Sequence, residues 1–249
     1  MARVRPVLLL LAAVAAAIAL VPPVATEARR YEFVEAIQFA LIALAVPALV
    51  VLGAPWARPG PSGAFDRWAA GRRRHPEVLR ALGFLAAFLL VTVAWRTPAA
   101  VDGVATYSWL LAVELVSLSV TGIGLWLELV PSPPLTPRLH RPWRAVLAAL
   151  AMWILWILAY LPGLSHVAWY HAVHHVGGGL SLAADQELAT GVLWFAAACA
   201  FVPVVFWDTM QWLKAGDDPD VEMRRLVRAE RRVAVRPARR RRGGAGAAG

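Results

Sequence analysis

The stretch Ile37–Trp56, "IQFALIALAVPALVVLGAPW", runs for 20 residues without a charged side chain. A helix rises about 1.5 Å per residue, so this stretch matches a hydrocarbon core roughly 30 Å thick. Inside lipid each backbone N–H and C=O must find its partner within the protein, which a helix does by itself. Working outward, segments of the same character occupy about 7–25, 32–53, 79–97, 106–130, 143–162 and 188–212. Loops rich in Pro, Gly and Arg separate them, such as "GAPWARPGPSGAFDRW" and "PSPPLTPRLHRPWR", and these break helices. The expected fold is therefore an all-α integral membrane protein with about six transmembrane helices. Composition agrees: 16% of residues are charged, against about 25% in soluble chains.

The basic residues predict the orientation. With the N-terminus inside and the spans alternating, 22 Lys and Arg fall on the inner side and only Arg29, Arg30 and Arg96 on the outer. That asymmetry is the positive-inside pattern, and it predicts a tail in the cytoplasm. It also accounts for a pI near 11 without nucleic acid as a partner. The expected organisation is a membrane domain over 29–215, followed by a basic, disordered tail over 216–249 in contact with membrane lipid. Residues 1–28 have a basic start, an apolar stretch and small residues before Arg29, which describes a signal anchor and a cleavable signal equally well.

The one cysteine, Cys199, allows neither a disulfide nor a Cys-x-x-Cys metal motif. No nucleophile–base set or phosphate-binding loop is present, so an enzyme is not expected. The metal-ligating potential is concentrated in "SHVAWYHAVHHVGGG", Ser165–Gly179, which holds four of the six histidines and lies in the last outer loop. Ser165 is a good N-cap and the glycines from Gly177 stop a helix, which predicts a short interfacial helix between them. At 100° per residue, His171, His174 and His175 share an arc of about 100° opposite Trp169, Ala172, Val173 and Val176. Spacings of three and four residues let two imidazoles ligate one copper, zinc or iron ion. A third ligand would come from His166, Glu35 or Asp185. The alternative is that these histidines simply face water and headgroups.

Glu114 is the one carboxylate set well inside a span, where its insertion costs about 2.5–3.5 kcal/mol and a bundle interior or cavity is expected. It either lines a polar site or hydrogen-bonds across helices to Ser117, Thr121 or Gln38. Glu128 and Asp208 lie near inner ends, in structural positions. Pro47 and Pro203 predict kinks, and "TGIG", Thr121–Gly124, supplies small residues for close helix approach.

Three of these stretches together resemble the CtaG family of cytochrome c oxidase assembly factors. Ile37–Trp56 resembles a family block that ends in Leu-Gly-x-Pro, here Leu52, Gly53 and Pro55. "ELVSLSVTGIGLWLELVPSP", Glu114–Pro133, is similar to a family helix that closes on a Gly-rich, Trp-containing boundary. "DQELATGVLW", Asp185–Trp194, resembles a family Asp-Gln-Gln-x-x-Gly-x-x-x-Trp start of a late helix, which adds Gln186 to the polar candidates. The resemblance spans about 30–215. Two departures stand out: a His-x-x-x-His pair of the family falls on Glu35 and Phe39, and a histidine after a glutamate falls on Leu115. The chain also has six candidate spans where the family usually has seven.

The resemblance implies a non-catalytic factor that assists assembly or copper loading of a terminal oxidase on the outer face, with oxidase subunits as partners. Two other readings compete. A scaffold or accessory subunit would need no metal chemistry. A haem-binding electron-transfer protein would need axial histidines within spans, and none of the six histidines falls there. A transporter built around Glu114 is more remote.

Overall fold

The structure, a computed structural model, describes residues 4–57, 78–137, 139–165, 169–170 and 180–216. Among them the chain is helical, and the only β pairing is an isolated bridge between Ser132 and Leu135. Helix α1 is Arg5–Leu20, and the consecutive prolines at its end start the short α2, Pro22–Glu27. The next span combines α3 (Glu32–Ala40), a π-turn (Leu41–Ala45) and α4 (Val46–Gly53). Then follow α5 (Val78–Trp95), the short α6 (Pro98–Thr106), α7 (Ser108–Leu129), α8 (Arg141–Gly163) and α9 (Leu182–Gly216). Five of these segments are long and apolar enough to cross a membrane, and α1 is a shorter apolar helix beside them. The chain is an all-α, multi-pass membrane protein.

The expected spans match closely except at two ends. The first apolar stretch breaks at Val21–Pro22 instead of running to 25. The last helix begins six residues before 188, because Asp185, Gln186 and Glu187 lower its hydropathy yet belong to its first turns. Of the expected interfacial helix only Ser165, Trp169 and Tyr170 are among the described residues, and they are not helical; of the expected tail only Gly216 is, and it ends α9.

The α3–α4 span is the most enclosed of the five. It packs against α9 through α3 and against α1 and α7 through α4. Around it, Ile42, Phe88, Leu118, Leu125, Leu129 and Phe201 are fully buried. Leu90, Trp153, Phe195, Phe206 and Trp207 point outward, as a lipid-facing surface requires. Two ends follow from the alternation. The acidic end gathers the starts of α3, α7 and α9; the basic end gathers the starts of α1, α5 and α8.

Pro47 acts through a π-turn. Its ring has no N–H to offer and would crowd the turn before it. The helix answers by widening: the Val46 N–H bonds the Leu41 carbonyl, five residues back. The widened turn lies on the glycines of α7. A Cβ at Gly122 would sit 2.8 Å from Pro47 Cγ and 3.3 Å from the Ala43 carbonyl oxygen. Gly124 faces the other way, and a Cβ there would meet the Phe84 ring on α5 at 2.5 Å. The small residues of "TGIG" therefore seat two helices on α7. Helix α9, by contrast, continues through Pro203 without a break.

Helix α1 is bound into the bundle. A Cβ on Gly53 would meet the Leu9 side chain at 2.7 Å. Ala54, with φ 47°, ends α4 in the left-handed conformation usually left to glycine, so the glycine of Leu-Gly-x-Pro serves packing instead. At the same end Trp56 Nε1 donates to the Ser132 carbonyl at 3.2 Å, and the Ser132 hydroxyl donates to the Val51 carbonyl.

Gly122→Val is expected to overpack this junction by about 1–3 kcal/mol and lower the melting temperature in detergent. Gly83→Ala, with nothing within 4 Å of the new Cβ, is the matched control and should melt like the parent. Indistinguishable melts for the two variants would remove the Gly122–Pro47 contact as a determinant of the fold.

Candidate functional site

The polar residues of the acidic end converge on Arg96, the first residue after α5. Its Nη1 is ion-paired with Glu35 of α3, and both side chains are nearly buried. Its guanidinium carbon lies 5.4 Å from the ring centroids of both Phe39 and Tyr170. A planar cation between aromatic faces is favourable, and more so away from water. Burial works against the Arg96 charge, but Glu35 above all raises its pKa and keeps it charged. Tyr170 returns the contact, its hydroxyl donating to the Arg96 carbonyl at 3.3 Å. Burial pushes that phenol up to about 12, so it remains a neutral donor.

Asp185 joins α9 to α3. Its Oδ2 accepts the Glu32 backbone N–H at 2.8 Å and its Oδ1 that of Phe33 at 3.0 Å. These are the orphan donors of the first turn of α3, whose own N-cap residue, Tyr31, offers no side-chain bond. A carboxylate there also meets the positive end of the helix dipole. Gln186, the next residue, ties down the chain after α8. Its Nε2 donates to the Pro162 carbonyl and, at 3.1 Å, to that of Ser165, while its Oε1 accepts the Trp169 N–H at 3.4 Å. Trp169 and Tyr170 pack with Val101 of α6.

Glu114 is buried in a small cavity of about 20 Å³, room for roughly one water, which it lines together with Glu35, Gln38, Arg29 and Trp95. None of its three expected clasps holds its carboxylate. The Ser117 hydroxyl donates to Glu114's own backbone carbonyl at 3.1 Å and accepts Trp95 Nε1 at 2.8 Å. The Thr121 hydroxyl bonds the Ser117 carbonyl at 2.7 Å, and Gln38 Nε2 bonds the Ala19 carbonyl at 2.6 Å. Each candidate partner is instead bonded to a backbone carbonyl, and Ser117 to the Trp95 indole as well. At the basic end, Asp208 pairs with Arg144 at 2.7 Å.

The candidate ligands divide accordingly. His166, His171, His174 and His175 lie outside the described residues. Glu35 and Asp185, the described third-ligand candidates, are bonded to Arg96 and to the start of α3. Among the described residues no three His, Cys, Asp or Glu side chains are grouped to hold a metal ion. Positions 35 and 39, where the resemblance leads one to expect histidines, both address Arg96. Sequence reading passed over Arg96 and Tyr170. The available signal was the lone arginine following an apolar span on the side poor in basic residues.

Glu35→Ala should be the most damaging change here, costing about 3–5 kcal/mol by stranding the buried guanidinium. Asp185→Ala should cost about 0.5–2 kcal/mol through the lost cap. Glu114→Leu should melt at or above the parent temperature, since it removes a buried carboxyl without breaking a bond. Thermal melts in one detergent check the order, and a Glu114→Leu protein less stable than Asp185→Ala would contradict this geometry.

The family model described as cytochrome c oxidase caa3 assembly factor matches residues 1–215. No curated protein and no solved structure matches the chain.

Proposed function

We propose that this chain, which belongs to the cytochrome c oxidase caa3 assembly factor family, does its work at the acidic end of the bundle, on the outer face of a bacterial inner membrane. It acts there as a chaperone-like factor without catalysis, and copper is its cargo, held for delivery to the oxidase. One observation carries the reading. The histidine-bearing stretch 166–179 is tied at both flanks to the polar network of the acidic end. Before it, Ser165 is held by Gln186; within it, Trp169 and Tyr170 are held by Gln186 and Arg96. After it, α9 begins with Ser181 Oγ accepting the Ala184 N–H at 3.2 Å and Asp185 bonded to α3. Tyr170, which touches Arg96, directly precedes His171 in the sequence.

In this reading His171, His174 and His175 supply the copper ligands, with His166 in reach along the chain. Neutral imidazole suits copper, and a loosely held set of such ligands suits an ion that must be passed on. A second reading is favoured by a specific observation: Glu35, Asp185 and Gln186 are all engaged in joining helices. A scaffold that holds oxidase subunits without touching metal would use them in that way alone.

A copper titration of the purified chain, carrying no histidine tag, separates the two. The parent is expected to bind copper near neutral pH and to lose it as the pH falls below about 6.5, since imidazole must be deprotonated to ligate. His171→Ala with His175→Ala should abolish binding while insertion is unaffected. Equal binding by the double variant, or none by the parent, would leave the scaffold.

Orientation has its own test. With Cys199→Ala as background, Gly178→Cys should react with an impermeant thiol reagent added to intact cells. Reaction only after permeabilisation would put the acidic end in the cytoplasm.

A further inference from the structure

Two connected recesses adjoin α9 outside the polar cluster of the acidic end. A crevice of about 510 Å³ between α4, α7 and α9 opens near the basic end, walled by Leu52, Trp126, Arg144, Pro203 and Asp208, with Arg141 at its mouth. It shares Ala48, Cys199 and Ala200 with an apolar groove of about 460 Å³ that continues between α3 and α9 toward the acidic end. Each volume is in the range of ligand pockets. Cys199 is exposed, so the junction of the two opens sideways toward lipid.

Two buried donors in the crevice wall have no acceptor among the described residues: Trp126 Nε1 and Arg144 Nε. Neither can readily turn away. Trp126 is 2% exposed and stacked on Phe201, with centroids 5.5 Å apart and planes 8° apart. Arg144 is held by Asp208 through Nη2 at 2.7 Å and by the Leu129 carbonyl through Nη1 at 3.3 Å. Arg141 reaches Gln211 Oε1 at 3.0 Å and is otherwise at the surface. The mouth thus carries two arginines against one aspartate, and two of the lining residues, Trp126 and Arg144, hold a buried N–H without an acceptor, above a long apolar groove.

We propose that the crevice binds one anionic glycerophospholipid. Its phosphate oxygens accept from Trp126 Nε1 and Arg144 Nε beside Arg141, and an acyl chain lies along the groove between α3–α4 and α9. The fit is one of charge and depth: basic recesses between helices at a membrane boundary take anionic head groups. The site is independent of the copper reading and of the orientation.

The full chain in detergent is offered phosphatidylglycerol or phosphatidylcholine with identical acyl chains, and bound lipid is counted by native mass spectrometry. One phosphatidylglycerol should bind at least about tenfold more tightly than phosphatidylcholine, a difference of ~1.4 kcal/mol. Trp126→Phe keeps the stacked ring and loses the N–H, and should weaken phosphatidylglycerol roughly five- to tenfold. Ala200→Trp fills the groove with the arginines in place and should remove binding. Should Trp126→Phe fail to fold, Arg141→Gln at the exposed mouth is expected to bring phosphatidylglycerol toward the phosphatidylcholine affinity. Equal affinity for the two lipids, or unchanged binding in the variants that fold, would overturn the proposal. Displacement of the lipid by millimolar inorganic phosphate would overturn it as well, by assigning the donors to a soluble anion.

Discussion

Arg96 is a cation at the end of a membrane-spanning helix, and it is almost without water. Such a charge persists only where its surroundings neutralise and solvate it. Glu35 neutralises it from α3, Phe39 and Tyr170 set their rings against it, and its backbone carbonyl accepts the Tyr170 hydroxyl. The demand of one guanidinium thus ties α3, the end of α5 and the chain after α8 to a common point. Asp185 extends the tie to α9 by capping α3. The acidic end is built by polar bonds between segments distant in sequence.

Between the two ends the means are different. Lipid offers helices no hydrophobic reason to associate, so close packing has to supply it. Pro47 and the π-turn before it open a surface on α3–α4, and Gly122 lets α7 settle against it. Gly124 does the same for α5, and Gly53 for α1.

The spans were readable because length and hydropathy in a bilayer leave few options, and Pro47 was readable as an interruption. Its form as a π-turn was not, since that depends on how α7 approaches. Gly122 and Gly124 were legible as small, but their partners, Pro47 and Phe84, are far along the chain. The start of α9 was missed because Asp185, Gln186 and Glu187 look like loop in a hydropathy window. In the fold they sit in helix α9, where Asp185 and Gln186 tie down the start of α3 and the chain after α8. Glu114 was legible as a buried carboxylate, and the hydroxyls nearby as its partners. Within a helix, however, Ser117 and Thr121 reach backbone carbonyls a turn away before they reach a neighbour. Arg96 was the least legible, because its meaning lies wholly in residues on other segments.

That last point bears on why the resemblance and the chain part company at positions 35 and 39. A helix places residues four apart on one face, which is why a His-x-x-x-His pair there can grip one cation. In this chain the same face also grips a cation, but a tethered one: Glu35 pairs with the Arg96 guanidinium and Phe39 lies against it. Restoring histidines at 35 and 39 alone would leave Arg96 buried without its counter-ion and would set imidazoles against a fixed positive charge. Glu35, Phe39 and Arg96 form one contact unit in this chain, and the three positions have to be read together. Copper handling at this end, as proposed, must then rest on residues outside that unit. The nearest in sequence are the histidines that begin immediately after Tyr170.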